Sequence, residues 1–126
     1  MKLNSEEINE WVNAYIETQE SDETIHEYHP LFWAIERFMK LNSDHPEVCW
    51  NMILEILIKK PSNNVLSILA AGPLEDLIVS HGCEYINKIE NEARINPAFK
   101  YLLGGVWKSS TPEVWSRLQN IRGKPW

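Results

Sequence analysis

The chain has 126 residues, of which 44% are hydrophobic and 24% charged, with six Trp, four Tyr and three Phe. That length and balance fit one folded domain with a substantial aromatic core, and they exclude a disordered chain. The 18 acidic and 12 basic residues give a formal charge of -6; such a field repels polyanions, so nucleic acid and anionic membranes are not expected partners, whereas a basic protein is.

Cys49 and Cys83 lie in apolar, helical-looking contexts without C-x-x-C spacing, which predicts reduced, core-packed thiols and no zinc site. The opening stretch MKLNSEEINEW is acidic and lacks an apolar run of signal-peptide length. No run approaches the roughly 18–20 apolar residues of a membrane span. A cytoplasmic location is the expectation.

In chain order, the first predicted helix runs from Ser5 to Thr18, capped by Asn4 or Ser5, with Ile8, Trp11, Val12, Tyr15 and Ile16 at helical spacing. A polar acidic loop follows. The second helix is expected from Pro30 to Leu41 on a stripe of Leu31, Ala34, Ile35, Phe38 and Met39. Asp44 and Glu47 have the spacing of a capping box for a third helix, Pro46 to Lys59, apolar nearly all round and therefore central. A short fourth helix begins at Asn63 or Asn64 and ends at Ala71. Gly72 then suits a left-handed terminus, with Pro73 opening a fifth helix that ends at Gly82. A sixth covers about Cys83 to Ile95. Asn96-Pro97 starts a seventh that ends at Gly104-Gly105, and Thr111-Pro112-Glu113 caps the last one.

No segment alternates with a period of two, so the expected class is all-α: an irregular stack of about seven or eight short helices, with HEAT-like helical hairpins as one form it could take. Trp50, Ile53, Leu57, Leu69, Leu74, Leu77 and Ile86 are the expected common core.

The strings Leu31-Phe32-Trp33-Ala34, Pro46-Glu47 with Trp50 and Ile53-Leu54, Leu69-Ala70-Ala71-Gly72-Pro73-Leu74-Glu75-Asp76-Leu77, His81-Gly82 and Leu103-Gly104-Gly105-Val106-Trp107 carry a resemblance. From Leu31 to Trp107 the chain resembles an uncharacterised family of small bacterial helical proteins. The resemblance implies a bacterial, mostly helical domain and supplies no chemistry. In size and style the chain also looks like the immunity proteins that accompany polymorphic bacterial toxins, an analogy of type that no motif carries.

The most enzyme-like cluster is Glu75, Asp76 and His81, but separations of six and five residues put the acids off the histidine's face of a helix. The plainer reading has the acids serving helix-start amides and His81 serving terminal carbonyls. His26 and His29 have i, i+3 spacing, yet Pro30 disfavours a helix there, so surface histidines are expected in place of a metal site. Gly104-Gly105 lacks the strand and the G-K-[ST] of a phosphate loop and reads as a helix terminator. Cys83, beside His81-Gly82, could carry a depressed pKa at a helix N-terminus, though an inert packed thiol is the default. Trp107 is expected to plug the core beneath a loop; Trp115 and Trp126 are the better interface anchors.

The leading expectation is a non-enzymatic protein-binding domain, most concretely an immunity protein that neutralises a basic toxin of nuclease type. Glu17, Glu20, Asp22 and Glu23 in the acidic loop region, with Trp115 as an anchor, are the expected contacts. No catalytic residue, cofactor or metal is expected. A structural or regulatory helical subunit that binds itself or a host protein is the alternative, and a small thiol enzyme or hydrolase the third.

Overall fold

A computed structural model describes residues 2–21 and 25–126. Among these residues the fold is all-α, with six helices and no strand. We label them α1 (Ser5–Glu20), α2 (Phe32–Asp44), α3 (Pro46–Ile58), α4 (Asn63–Ile95), α5 (Pro97–Leu103) and α6 (Pro112–Ile121). The caps follow the sequence closely at four starts. Asn4 and Glu7 form a reciprocal capping box on α1, and Ser62, Asn96 and Thr111 accept backbone N–H groups at the starts of α4, α5 and α6.

The expected count of seven or eight falls because two expected breaks do not separate helices. At Gly72-Pro73 the chain widens into a π-helical turn, Ala70–Leu74, and continues. Glu75 donates its N–H to the carbonyl of Ala70, five residues back. A proline ring crowds the carbonyl four residues before it in an α-helix, and a wider turn absorbs that crowding. Gly72 is not left-handed, since no glycine has positive φ. At Gly82 the helix bends without ending, His81 taking φ -135° and ψ 20°.

Two further boundaries move. Pro30 lies in a turn, and α2 starts at Phe32. Asp44 ends α2 and does not cap α3: His45, at φ -133° and ψ 58°, separates the two helices outside the helical region that the following proline disfavours.

α3 and α4 form the centre. α3 packs against α1, α2, α4 and α5, and α4 additionally holds α1 through its first segment and α2, α5 and α6 through its second. All seven expected core residues are buried, from Trp50 to Ile86. Trp11, Tyr15 and Phe38 form an aromatic cluster joining α1 to α2, with ring centroids 4.8 and 5.2 Å apart, and the Trp11 indole N–H donates to the Ala34 carbonyl at 2.9 Å. The second aromatic cluster sets Trp50 against Tyr85 and Phe99. At 33 residues α4 has the length and composition to cross a membrane, yet Leu69, Leu74, Leu77, Ile78 and Ile89 along it are fully buried in the protein's own core.

Candidate functional site

The strongest surface feature begins with α1. Its inward face buries Trp11, Val12, Ala14, Tyr15 and Thr18. Glu6, Glu10, Asn13, Glu17 and Glu20 are all exposed, and at 100° per residue they fall within about 80° of arc. The outer face of α1 is thus a ridge of four carboxylates along the whole helix. None of the four is ion-paired among the described residues.

The structure corrects the setting of Glu17 and Glu20. They stand in the last turn of α1, which runs to Glu20, and not in a loop. That end of a helix carries the negative pole of the backbone dipole, where an acidic side chain costs about 0.3–1 kcal/mol and a basic one would stabilise. The last turn holds no basic residue. Both glutamates line an open groove of about 550 Å³ with Asn13, Ile16, Ser21, His29 and Leu31. Ile16 and Leu31 pack against the core and give the groove an apolar contribution. Asp22 and Glu23, the other two expected contacts, lie outside the described residues.

The charge is divided along the chain. Residues 1–29 hold eight of the 18 acidic residues and one of the 12 basic residues, Lys2, whereas from Arg94 onward six basic residues accompany one acid, Glu113. That partition is legible in the sequence and marks a second, cationic surface near the C-terminal end.

Trp115 does not join the acidic groove. It is 8% exposed on α6, which packs on the second segment of α4, with the guanidinium of Arg122 5.0 Å from its ring centroid. Its expected role as an exposed anchor is corrected: the ring is buried in α6's packing, and the Arg122 side chain lies over it. Trp107 is the opposite case. Expected as a plug, it is 78% exposed, its backbone N–H held by the Glu75 carboxylate at 3.2 Å. Trp126 is half exposed and fixed by three contacts: its N–H donates to the Gly104 carbonyl at 3.0 Å, its indole N–H to the Tyr101 carbonyl at 3.1 Å, and its ring leans on Tyr101. Trp107, Lys108, Trp115, Arg122 and Trp126 line a second groove of about 310 Å³ floored by Gly104 and Gly105.

The glycines of the second motif therefore do more than stop a helix. Neither has positive φ. A β-carbon on residue 105 would fall 2.5 Å from the Trp126 ring, and one on residue 104 would overlap the Lys124 carbonyl oxygen. Gly104-Gly105 is the seat of the C-terminal tail.

The enzyme-like cluster resolves into structural ties. His81 turns its Nε2 to the carbonyl of Asn42 at 2.6 Å, so it caps α2 and not its own helix. Its Nδ1 lies 3.6 Å from Glu84. Asn42 in turn donates to the Ser80 hydroxyl. Because α4 continues through the π-turn, Glu75 and Asp76 do not sit at a free helix start as expected. Desolvation first, and the neighbouring Glu75 second, raise the Asp76 carboxyl above its ordinary value. Cys83 is exposed, which corrects the expectation of a packed thiol, while Cys49 is buried. His26 and His29 each accept a backbone N–H two residues on through Nδ1. No group of three metal-ligating side chains occurs among the described residues.

No curated protein and no solved structure matches the chain. A family model does match, over residues 6–126, nearly the whole length. The chain belongs to a family of unknown function, DUF6869.

Proposed function

We propose that the protein is a non-enzymatic binding domain whose acidic α1 face engages a basic protein partner, most concretely as an immunity protein that neutralises a cationic bacterial toxin of nuclease type. The observation that carries this reading is the placement of Glu17 and Glu20. They stand unpaired at the end of α1 where the helix dipole disfavours them, beside a groove with apolar side chains. A local choice that works against fold stability is the kind found at functional surfaces. Four aligned carboxylates would steer a cationic surface toward the groove, with Glu17 and Glu20 at its rim. Asp22 and Glu23 would add to the same field, and the buried Trp115 is not one of the contacts.

Surface plasmon resonance against a purified cationic nuclease-toxin domain tests the reading. Association should slow as salt rises, and Glu17→Lys with Glu20→Lys should slow it about tenfold or more at low ionic strength, with little change in dissociation. An association rate indifferent to both salt and charge reversal would remove the acidic face from the interface.

A further inference from the structure

We infer that the groove formed by Trp107, Lys108, Trp115, Arg122 and Trp126 takes the acidic α1 face of a second copy of this chain, giving head-to-tail self-association. The inference rests on the reading of α1 as an acidic docking face, and adds an occupant and a means of regulating access to it.

The groove has the composition of an interface centre. Trp107 is 78% and Trp126 50% exposed, and large rigid aromatics beside arginine supply most binding energy where proteins meet. Trp126 is held by Gly104 and Tyr101 and the Trp107 backbone by Glu75, so on docking the ordering still to be done is mainly that of the Trp107 side chain. Lys108 and Arg122 line the groove, and Lys124 stands on the adjoining tail. None of the three is ion-paired to a carboxylate among the described residues. The surface needs an acidic partner.

This chain carries one. The α1 ridge has four unpaired carboxylates, and its groove includes Ile16 and Leu31 to meet an indole ring. The two surfaces lie apart: α1 packs on α2, α3 and the first segment of α4, whereas the cationic groove is built on α6, the tail and the turn after α5. They therefore cannot satisfy each other within one molecule through these contacts. The net charge of -6 opposes approach at long range, but at physiological salt the screening length is about 8 Å and local complementarity governs contact. A contact between two different faces repeats from copy to copy, or closes into a ring. In either form it covers the face that would receive the basic partner.

Sedimentation equilibrium on the purified full chain reads the prediction without any foreign partner. The average mass of the wild type should rise with protein concentration at about 50 mM salt and return to the monomer value at about 500 mM, where the screening length shrinks severalfold. Lys108→Glu with Lys124→Glu should be monomeric alone. Glu17→Lys with Glu20→Lys should also be monomeric alone, and an equimolar mixture of the two variants should associate again. Trp107→Ala should weaken wild-type association about tenfold or more. All these positions are exposed, and circular dichroism checks that each variant is folded. A wild type that stays monomeric at every concentration, a variant that associates by itself as the wild type does, or a mixture that fails to associate would each overturn the inference. Loss of binding to a foreign basic protein would leave these results standing, so the two readings fail separately.

Discussion

The hydroxyl of Ser110 stands 2.8 Å from the point a β-carbon on Gly82 would occupy, and the Val114 methyl 3.1 Å from it. The backbone of α4 at its bend is in this way the surface on which the last loop and α6 rest. Ser110 reaches the contact in the left-handed region, φ 66°, a conformation that costs an ordinary residue about 1–2 kcal/mol.

Gly82→Ala should therefore push α6 outward and destabilise the protein by about 1–3 kcal/mol, the usual range for overpacking. Ser110→Gly removes the obstructing hydroxyl and relieves the left-handed strain together. In the Gly82→Ala background it should recover a measurable part of the loss. Urea unfolding midpoints for the two single variants and the double variant check this; strictly additive effects would mean the two positions do not meet.

The two glycines under the C-terminal tail should respond unequally. At residue 104 a β-carbon meets the Lys124 backbone carbonyl, and at residue 105 it meets the end of the Trp126 side chain. Backbone gives way less readily than a terminal side chain. Gly104→Ala should cost about 1–3 kcal/mol, and Gly105→Ala under about 1 kcal/mol, with the indole released from its seat. Unfolding midpoints rank the two. Faster proteolytic trimming of the tail in Gly105→Ala, with the midpoint nearly kept, identifies the released ring.

Much of this architecture is legible in the sequence because helical periodicity and capping are local signals. Asn4, Asn96-Pro97 and Thr111-Pro112 each place a helix start to within a residue or two. The misreadings share one physical origin: the same residues serve two local geometries, and packing chooses between them. Gly72-Pro73 fits a helix break and a π-turn equally. The turn wins because continuing the helix keeps Leu69 and Leu74 both fully buried. Trp107 and Trp115 exchange their expected roles for a tertiary reason, since only the folded tail shows that Arg122 covers one and that Glu75 holds the other at the surface. The acidic ridge is half legible: Glu17 and Glu20 stand among the expected contacts, but a loop setting for them hides their alignment with Glu6 and Glu10.

Two carboxylates should bend the pH dependence of stability in opposite directions. Glu90 accepts hydrogen bonds from Arg117, which hold its carboxyl below the ordinary 4.5. A depressed folded value means the unfolded chain binds the proton more readily, so this stabilisation is present above about pH 4.5 and is lost as pH falls through the folded value. Asp76 is raised above its ordinary 3.8, by desolvation and then by Glu75. Its charged form is disfavoured in the fold, so the loss of stability sets in as the pH rises above about 3.8 and is complete above the folded value, and protonation relieves it. Glu90→Gln should reduce stability at pH 7 and flatten the acid limb. Asp76→Asn should raise stability at pH 7 and lose that advantage below about pH 3.8. Thermal midpoints from pH 3 to 7 check both signs.

The two cysteines should separate by reactivity. Cys49 is 2% exposed, its Sγ directed to the Phe38 carbonyl at 3.6 Å, and its thiol is pushed up to about 12, by burial first and by the charges of Glu47 and Asp76 after that. The thiolate is the reactive form, so Cys49 is shielded by both access and protonation. Cys83 is exposed on the helix just after the His81 bend. Titration of the native protein with a disulfide reagent should therefore consume one thiol quickly and the second only at the rate of opening between α2 and α3. Cys83→Ser should abolish the fast phase and leave the slow one. The same experiment bears on thiol chemistry, because His81 is the nearest candidate base in sequence and its Nε2 is occupied at the Asn42 carbonyl, 2.6 Å away. A fast phase whose rate falls markedly in His81→Gln, while circular dichroism and the slow phase stay unchanged, would mean that the imidazole activates Cys83. An unchanged fast phase would assign His81 to capping α2.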